Sequence, residues 1–222
     1  MVIRSPPTLE ATLRIRRGGG KHLAVCLTCL KIMMILAFDT TLGACSAAIS
    51  HEGRLLANAF MSMQRGHAEQ LLPMIERVRH HAKISYGDLE SIAVTIGPGT
   101  FTGVRTGLAA AQALAQVHDV SLIGVSTLEL LARAAVPRIN DENAEIIATI
   151  DARRGQLYMQ AFDALGKATT LPVIDAANPR IVPNPNHSGL IVGSGAEILQ
   201  SVLPDWQIIR DICQPDASIL AT

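Results

Sequence analysis

The sequence predicts an α/β protein of two lobes, and three observations carry that prediction. Of 222 residues, 17 are glycine and only 3% are aromatic, while the helical runs are alanine-rich. That composition suits helices packed closely on sheet better than a β-sandwich. Apolar runs of period two alternate with runs of helical period from Ile35 onward. The chain also repeats itself. Setting Asp39 on Asp151 aligns Ile35 with Ile147, Gly43 with Gly155 and residues 44–50 with 156–162, at a constant offset of 112 residues. Two copies of strand, Asp turn and strand would then open two lobes, 34–140 and 141–222.

Taken in order, residues 35–39 read as a buried strand closed by Asp39, and 40–43 as a polar turn. Residues 44–50 and 55–61 alternate as two further strands about a hairpin turn at 51–53. Over 68–80, Ala68, Leu71, Leu72, Ile75 and Val78 share one side of a helix, which Pro73 should kink by removing the backbone bond to Glu69. Residues 92–96 form an apolar strand. Gly97, Pro98 and Gly99 break it, and Thr100 or Thr102 caps a second helix to about His118. A strand at 121–125 leads through a capping box, Ser126 with Glu129, into a helix ending before Pro137. The second lobe holds strands at 145–150 and 156–162, a Pro/Asn-rich loop at 178–189 and a strand at 190–192. Gly193, Ser194 and Gly195 then lead into a helix at 196–203. Asp216 reads as the N-cap of a last helix, of which 217–222 supply about one and a half turns, so the sequence predicts a chain truncated inside that helix.

Charge narrows the function. Residues 1–33 carry six bases and one acid, which leaves thirteen bases and eighteen acids, a net of −5, for residues 34–222. Affinity for nucleic acid comes largely from Lys and Arg neutralising phosphates, so an acidic body reaches RNA only through a partner. No stretch approaches the ~20 uninterrupted apolar residues of a membrane span, which predicts a soluble chain, and the sparse cysteines fit a reducing, cytoplasmic compartment. The cysteines, Cys26, Cys29, Cys45 and Cys213, are too few and scattered for a disulfide framework. Cys26 and Cys29 form a single C-x-x-C, half of what a zinc site needs. Residues 1–33 are basic, hold Pro6, Pro7 and three successive glycines from Gly18, and show no sustained period. A mis-called start that adds a disordered leader is favoured over a targeting peptide or a basic binding arm, because Met33 and Met34 stand where patterning begins.

The strongest motif spans 97–105: Gly97, Pro98, Gly99, Thr100, Phe101, Thr102, Gly103, Val104, Arg105. Its glycines allow a sharp turn and could bare N–H groups to a phosphate at a helix start. It is neither a dinucleotide fingerprint nor a P-loop, since the third glycine is displaced and no Gly-Lys-Ser/Thr follows. The competing reading is a tight strand-to-helix turn whose small residues permit close packing, and the spacing favours it. In the helix that follows, Val104, Leu108, Ala111 and Ala115 form a stripe while Ala109, Ala110 and Ala113 keep neighbouring faces small. Such a helix is either central to its lobe or at a subunit interface. Asp39, Thr40 and Thr41 form a turn too sparse in glycine and in further acids for an active phosphotransferase, so Asp39 reads as a structural acid. His67 has no second histidine at i+4 to make a helical metal pair, and no nucleophile, base and orienter grouping appears.

These blocks, in this order, carry a resemblance: 35–41, 44–46, 67–74, 97–105, 124–128 and 150–153. Together they resemble the TsaB (YeaZ) family of bacterial threonylcarbamoyladenosine biosynthesis subunits, over about residues 34–218. The resemblance implies a two-lobed actin-like ATPase fold of sugar-kinase/actin type, ribonuclease H-like, with duplicated strand-Asp turn-strand openings and a degenerate nucleotide site. It implies a non-catalytic scaffold that pairs with a catalytic paralogue, TsaD, and is joined by a small ATPase, TsaE. The paralogue would hold ATP and metal, this chain having no cofactor of its own, and would transfer threonylcarbamoyl to adenosine 37 of tRNAs reading ANN codons. The tRNA would be met only through the complex. Two departures stand out, the N-terminal extension and the absence of the C-terminal helix that normally packs back on the N-lobe.

On this resemblance the partner-binding residues are His67, Gln70, Leu71, Met74, Val78, Val104, Arg105, Leu108, Ala111 and Gln112. Asp39, Thr40, Thr41, Gly97, Gly99 and Thr100 make up the degenerate phosphate loop. Leu108→Glu or Met74→Glu is expected to leave folding intact and abolish pairing. Whether the free chain homodimerises through the same helices stays open. The competing class is an enzyme: a glycoprotease-like metallopeptidase, against which the missing His pair argues, or a small ATP-dependent kinase, against which the sparse Asp39 turn argues.

Overall fold

The computed structural model describes residues 33–176 and 189–222, together with the backbone of a short antiparallel pair, β1 (Arg14–Arg16) and β2 (His22–Ala24). The C-x-x-C, most of the leader and the loop at 178–188 lie outside the described residues.

The first lobe is built on β3 (Met34–Asp39), β4 (Ala44–His51), β5 (Arg54–Ser62), β6 (Ser91–Thr95) and β7 (Ser121–Val125), in spatial order β5-β4-β3-β6-β7. β3, β4 and β5 run antiparallel as a meander, while β6 and β7 are parallel to β3. The β4–β5 hairpin closes on Glu52 and Gly53, both left-handed (φ 54° and 72°), as the two-residue hairpin turn that matches strand twist requires. The second lobe repeats the plan. β8 (Glu145–Arg153), β9 (Gln156–Phe162), β10 (Val173–Ala176), β11 (Gly189–Val192) and β12 (Gln207–Ile208) take the order β10-β9-β8-β11-β12, with β11 and β12 parallel to β8. This duplicated sheet is the architecture of the two-lobed actin-like ATPase fold.

The internal repeat is therefore structural, with one local slip. Ile35 faces Ser50, but Ile147 faces Ala161 rather than Phe162. A register shift between Asp151 and Arg153, beside the left-handed Arg153 and Arg154, shortens the second hairpin by one residue.

Helices α1 (His67–Ala82) and α2 (Phe101–His118) cover one face of the first sheet, with Leu36, Phe38, Ile49, Ile92 and Val94 beneath them. α1 continues through Pro73. Its buried residues are Leu71, Met74, Ile75 and Val78, whereas Ala68 and Leu72 face outward, Leu72 at 51% exposure. Leu71, Ile75 and Val78 lie on the expected side, whose centre is turned by roughly 45°, about half of one residue's 100°, so that Met74 takes the place of Ala68 and Leu72. α2 buries Gly103, Gly107, Ala111 and Ala115, leaving Val104 and Leu108 half-buried.

α3 (Thr127–Ala135), which a division at residue 140 assigns to the first lobe, packs on the second sheet through Leu128, Leu131, Ala132 and Ala135. α4 (Ala196–Gln200) covers that sheet's other face and is shorter than the 196–203 expected. A last helical turn, α5 (Ala217–Leu220), capped by Asp216 Oδ1 accepting from Ser218 N at 2.8 Å, lies against Ile35, Ala37 and Ala48 of the first lobe. The helical turn expected after the Asp216 cap is present, and it packs on the N-lobe.

The two expected caps differ. The Thr100 hydroxyl accepts from Gly103 N at 3.2 Å, which makes it the N-cap of α2 and sets Thr102 inside the helix. Ser126 makes no such bond, and the Glu129 carboxylate, which a capping box would turn back to Ser126 N, accepts instead from Arg133 one turn on, at 2.8 Å. Thr100→Ala should therefore cost about 1–2 kcal/mol, and Ser126→Ala less than about 0.5 kcal/mol, in urea unfolding. Equal losses would contradict this assignment.

Candidate functional site

The site grows from the end of β3. Asp39 lies fully buried between β4 and β6. Its carboxylate accepts from Thr41 N at 3.2 Å, from Thr41 Oγ1 at 2.6 Å and from the hydroxyl of Thr95, which ends β6. Burial pushes the Asp39 carboxyl up to about 6, against the pull of these donors. Cys45 on β4 is likewise pushed up, to about 11, by burial with Asp39 adding.

The head of α2 closes over this turn. Thr100 N donates to Thr41 O at 2.7 Å, and Thr40 Oγ1 donates to Gly103 O at 2.8 Å. A Cβ added at Gly99 would stand 2.5 Å from Thr41 O, and one at Gly103 would stand 2.0 Å from Thr40 O. At Gly107 it would stand 2.8 Å from Thr40 Oγ1. Gly103 and Gly107, four apart, share one face of α2, and together with Gly99 just ahead of the helix cap they lay a bare strip on Thr40 and Thr41. α3 closes the other side, where Thr127 N donates to Gly97 O at 2.9 Å and Thr127 Oγ1 lies 3.4 Å from Thr41 Oγ1. A strap from the second lobe completes the enclosure: Gly43 N donates to Gln214 Oε1 at 2.7 Å, and Ala217 N to Ser46 Oγ at 3.0 Å.

The structure thus brings Asp39, Thr40, Thr41, Gly97, Gly99 and Thr100 into one knot. An actin-like fold implies a magnesium-nucleotide at such a turn, and these residues do not fit one. The glycine strip carries protein backbone where a phosphate would need space, and the Asp39 oxygens already accept from Thr41 and Thr95. The close-packing reading of the glycine motif is the one its geometry follows.

The repeat has a looser counterpart. Asp151 is exposed, its N–H donating to Ser194 Oγ at 3.1 Å, and Gly193 and Gly195 lie on Thr149 as Gly103 lies on Thr40. Among the described residues, no group of three or more His, Cys, Asp or Glu side chains gathers as for a metal ion. A groove of about 520 Å³ lies elsewhere, between α4 and the β9–β10 edge, lined by Met159, Leu171, Val173 and Leu199.

The proposed partner-binding residues separate by position. Leu71, Met74, Val78 and Ala111 are core, at 2% exposure or less, and offer nothing to a partner as the chain stands. Val104 and Leu108 are half-buried. His67 is half-buried too, and its Nε2 donates to Leu42 O at 3.0 Å, tying α1 to the Asp39 turn. Gln70, Arg105 and Gln112 are exposed. Sequence reasoning named Arg105, Ala109 and Ala113 but missed Phe101 and Val117, which join them at four-residue spacing in an outer stripe of α2. Phe101 is 70% and Val117 75% exposed, and the Arg105 guanidinium carbon sits 3.7 Å from the Phe101 ring centroid. The signal was the spacing of four starting at Phe101.

The family described as TsaD, tRNA N6-adenosine threonylcarbamoyltransferase, matches residues 54–191. The chain is similar to the tRNA threonylcarbamoyladenosine biosynthesis protein TsaB of Escherichia coli K12, 39% identical over 126 residues that make up 57% of this chain and 53% of that protein. It is similar to the TsaB of Haemophilus influenzae at 36% over 126 residues, 57% of this chain and 52% of the relative. The chain spans about half the length of the curated relatives it matches. Among solved structures, YeaZ from Pseudomonas aeruginosa superposes with a TM-score of 0.74 at 28% identity, covering 85% of this chain and 89% of that one. Among the described residues, no helix is long and apolar enough to cross a membrane.

Proposed function

Because the chain belongs to the family of TsaD, tRNA N6-adenosine threonylcarbamoyltransferase, and its curated relatives include TsaB proteins, we propose that it is a non-catalytic scaffold subunit for threonylcarbamoyl transfer to adenosine 37 of tRNAs reading ANN codons. It acts by pairing with the catalytic paralogue TsaD, joined by the ATPase TsaE. ATP and metal belong to the paralogue, and tRNA is reached through the assembly, since residues 34–222 carry a net of −5.

The observation that carries this reading is the enclosure of Asp39. A turn that in an active relative would face a ligand is here filled by the glycine strip of α2 and serves to fix that helix. Fixing α2 presents Phe101, Arg105 and Val117 on a rigid outer face, where apolar and aromatic groups favour a protein partner.

Expressed in a bacterium depleted of its own TsaB, the chain should restore threonylcarbamoyladenosine in digested tRNA, measured by mass spectrometry. Restoration should require the TsaD of that cell. Turnover of ATP or of a peptide by the purified chain alone would defeat the scaffold reading.

A further inference from the structure

Asp39 is an enclosed acid, and among the described residues no cation pairs with it. The titratable groups that face it are acidic: Asp216, the cap of α5, whose charge adds to the burial, and Cys45 on β4. β6, α2 and α3 offer only Thr95, Thr100, the glycine strip and Thr127. Five parts of the chain meet at this knot. They are the β3 turn, the end of β6, the head of α2, the head of α3 and the strap from the second lobe.

We propose that Asp39 is a proton-linked pin of the junction between the lobes, one solvent proton closing the knot more tightly and its loss loosening it. The proton adds to the Asp39 carboxylate and returns to solvent on release, with no other group consumed. Once protonated, Asp39 turns from acceptor to donor. The Thr41 and Thr95 hydroxyls can rotate to receive that hydrogen, so the network survives the change. The sign follows from burial. In the closed knot the carboxyl titrates near 6, and in an opened or unfolded chain it returns to about 3.9. The closed form therefore holds the proton more tightly. Its advantage is complete below the open-state value and is lost as pH rises through about 6. Between pH 5 and pH 7.5 this linkage makes opening about tenfold easier. The inference does not depend on which partner docks on α2.

Hydrogen exchange on the full chain, corrected for the intrinsic pH dependence of exchange, tests it at the Thr41 and Thr100 amides. Their protection should fall about tenfold from pH 5 to pH 7.5 in the wild-type chain and stay level in Asp39→Asn. A level wild-type profile, or an equal fall in both, would overturn the proposal. Should Asp39→Asn not fold, carboxyl-carbon NMR of the wild-type chain decides. A midpoint near 6 that moves down in Asp216→Asn, a substitution that keeps the α5 cap, supports the pin. A midpoint below about 4.5 ends it.

Discussion

Gly103→Ala is expected to destabilise the chain by about 3 kcal/mol or more, although alanine is the better helix former by about 1 kcal/mol. The added methyl would stand 2.0 Å from the Thr40 carbonyl oxygen and 2.6 Å from the Thr100 hydroxyl, so it meets backbone on one side and the helix cap on the other. Backbone cannot rotate aside. α2 would have to lift from the β3 turn, stretching the Thr40 to Gly103 and Thr100 to Thr41 hydrogen bonds, each worth about 1 kcal/mol. For a chain of this size the loss lowers the melting temperature by about 6–12 °C. Gly107→Ala is the control. Its methyl would meet only the Thr40 hydroxyl at 2.8 Å, with Val94 beyond at 3.4 Å, and a side chain can yield where a carbonyl cannot. It should lose about 1 kcal/mol or less. Urea midpoints for both would decide, and a Gly103→Ala chain as stable as wild type would mean that the glycine strip does not hold α2.

Much of this was legible in the residues, and the exceptions have physical causes. The apolar strand runs, the acid at the end of β3 and the offset of 112 residues foretold two matching sheets, although β3 and β4 are buried on both faces and so leave near-continuous apolar runs rather than an alternating burial. The buried side of α1 takes Leu71, Ile75 and Val78 as expected but Met74 in place of Leu72, because Leu71, Leu72, Met74 and Ile75 are all apolar. Periodicity alone cannot say which neighbouring face meets the sheet, and contact with Phe38 and Ile49 selected Met74 over Leu72. The motif at 97–105 does not include Gly107, the third member of the strip, which lies one helical turn beyond Gly103. Phe101 was passed over because aromatic side chains are usually found inside. Its exposure follows from the glycines, which turn the opposite face of α2 inward. At Ser126 the Glu129 half of the capping box is lost to a competing Arg133 at i+4.

The double variant Phe101→Glu with Val117→Lys is expected to fold normally and to lose pairing with the TsaD paralogue by more than about 100-fold. Both positions are largely exposed, so no core contact is given up. The charges are chosen to suit the helix, an acid in its first turn and a base in its last, each worth a few tenths of a kcal/mol in its favour. What is removed is the aromatic anchor and its stacked Arg105 at one end of the stripe and the exposed valine at the other. Anchors of this kind each carry about 2 kcal/mol or more of a protein interface, and about 2.7 kcal/mol corresponds to 100-fold in affinity. Met74→Glu makes the opposite case. Met74 is 2% exposed among Leu71, Ile75 and Val78, and a carboxylate there has no cation to meet, so this variant should lose the fold rather than the partner. Size-exclusion chromatography with light scattering on the mixed proteins, beside circular dichroism of each variant, separates the outcomes. Undiminished pairing by the folded double variant would remove the outer stripe of α2 as the docking face while leaving the scaffold role to another surface. Failure of the wild-type chain to pair at all would remove the scaffold role itself.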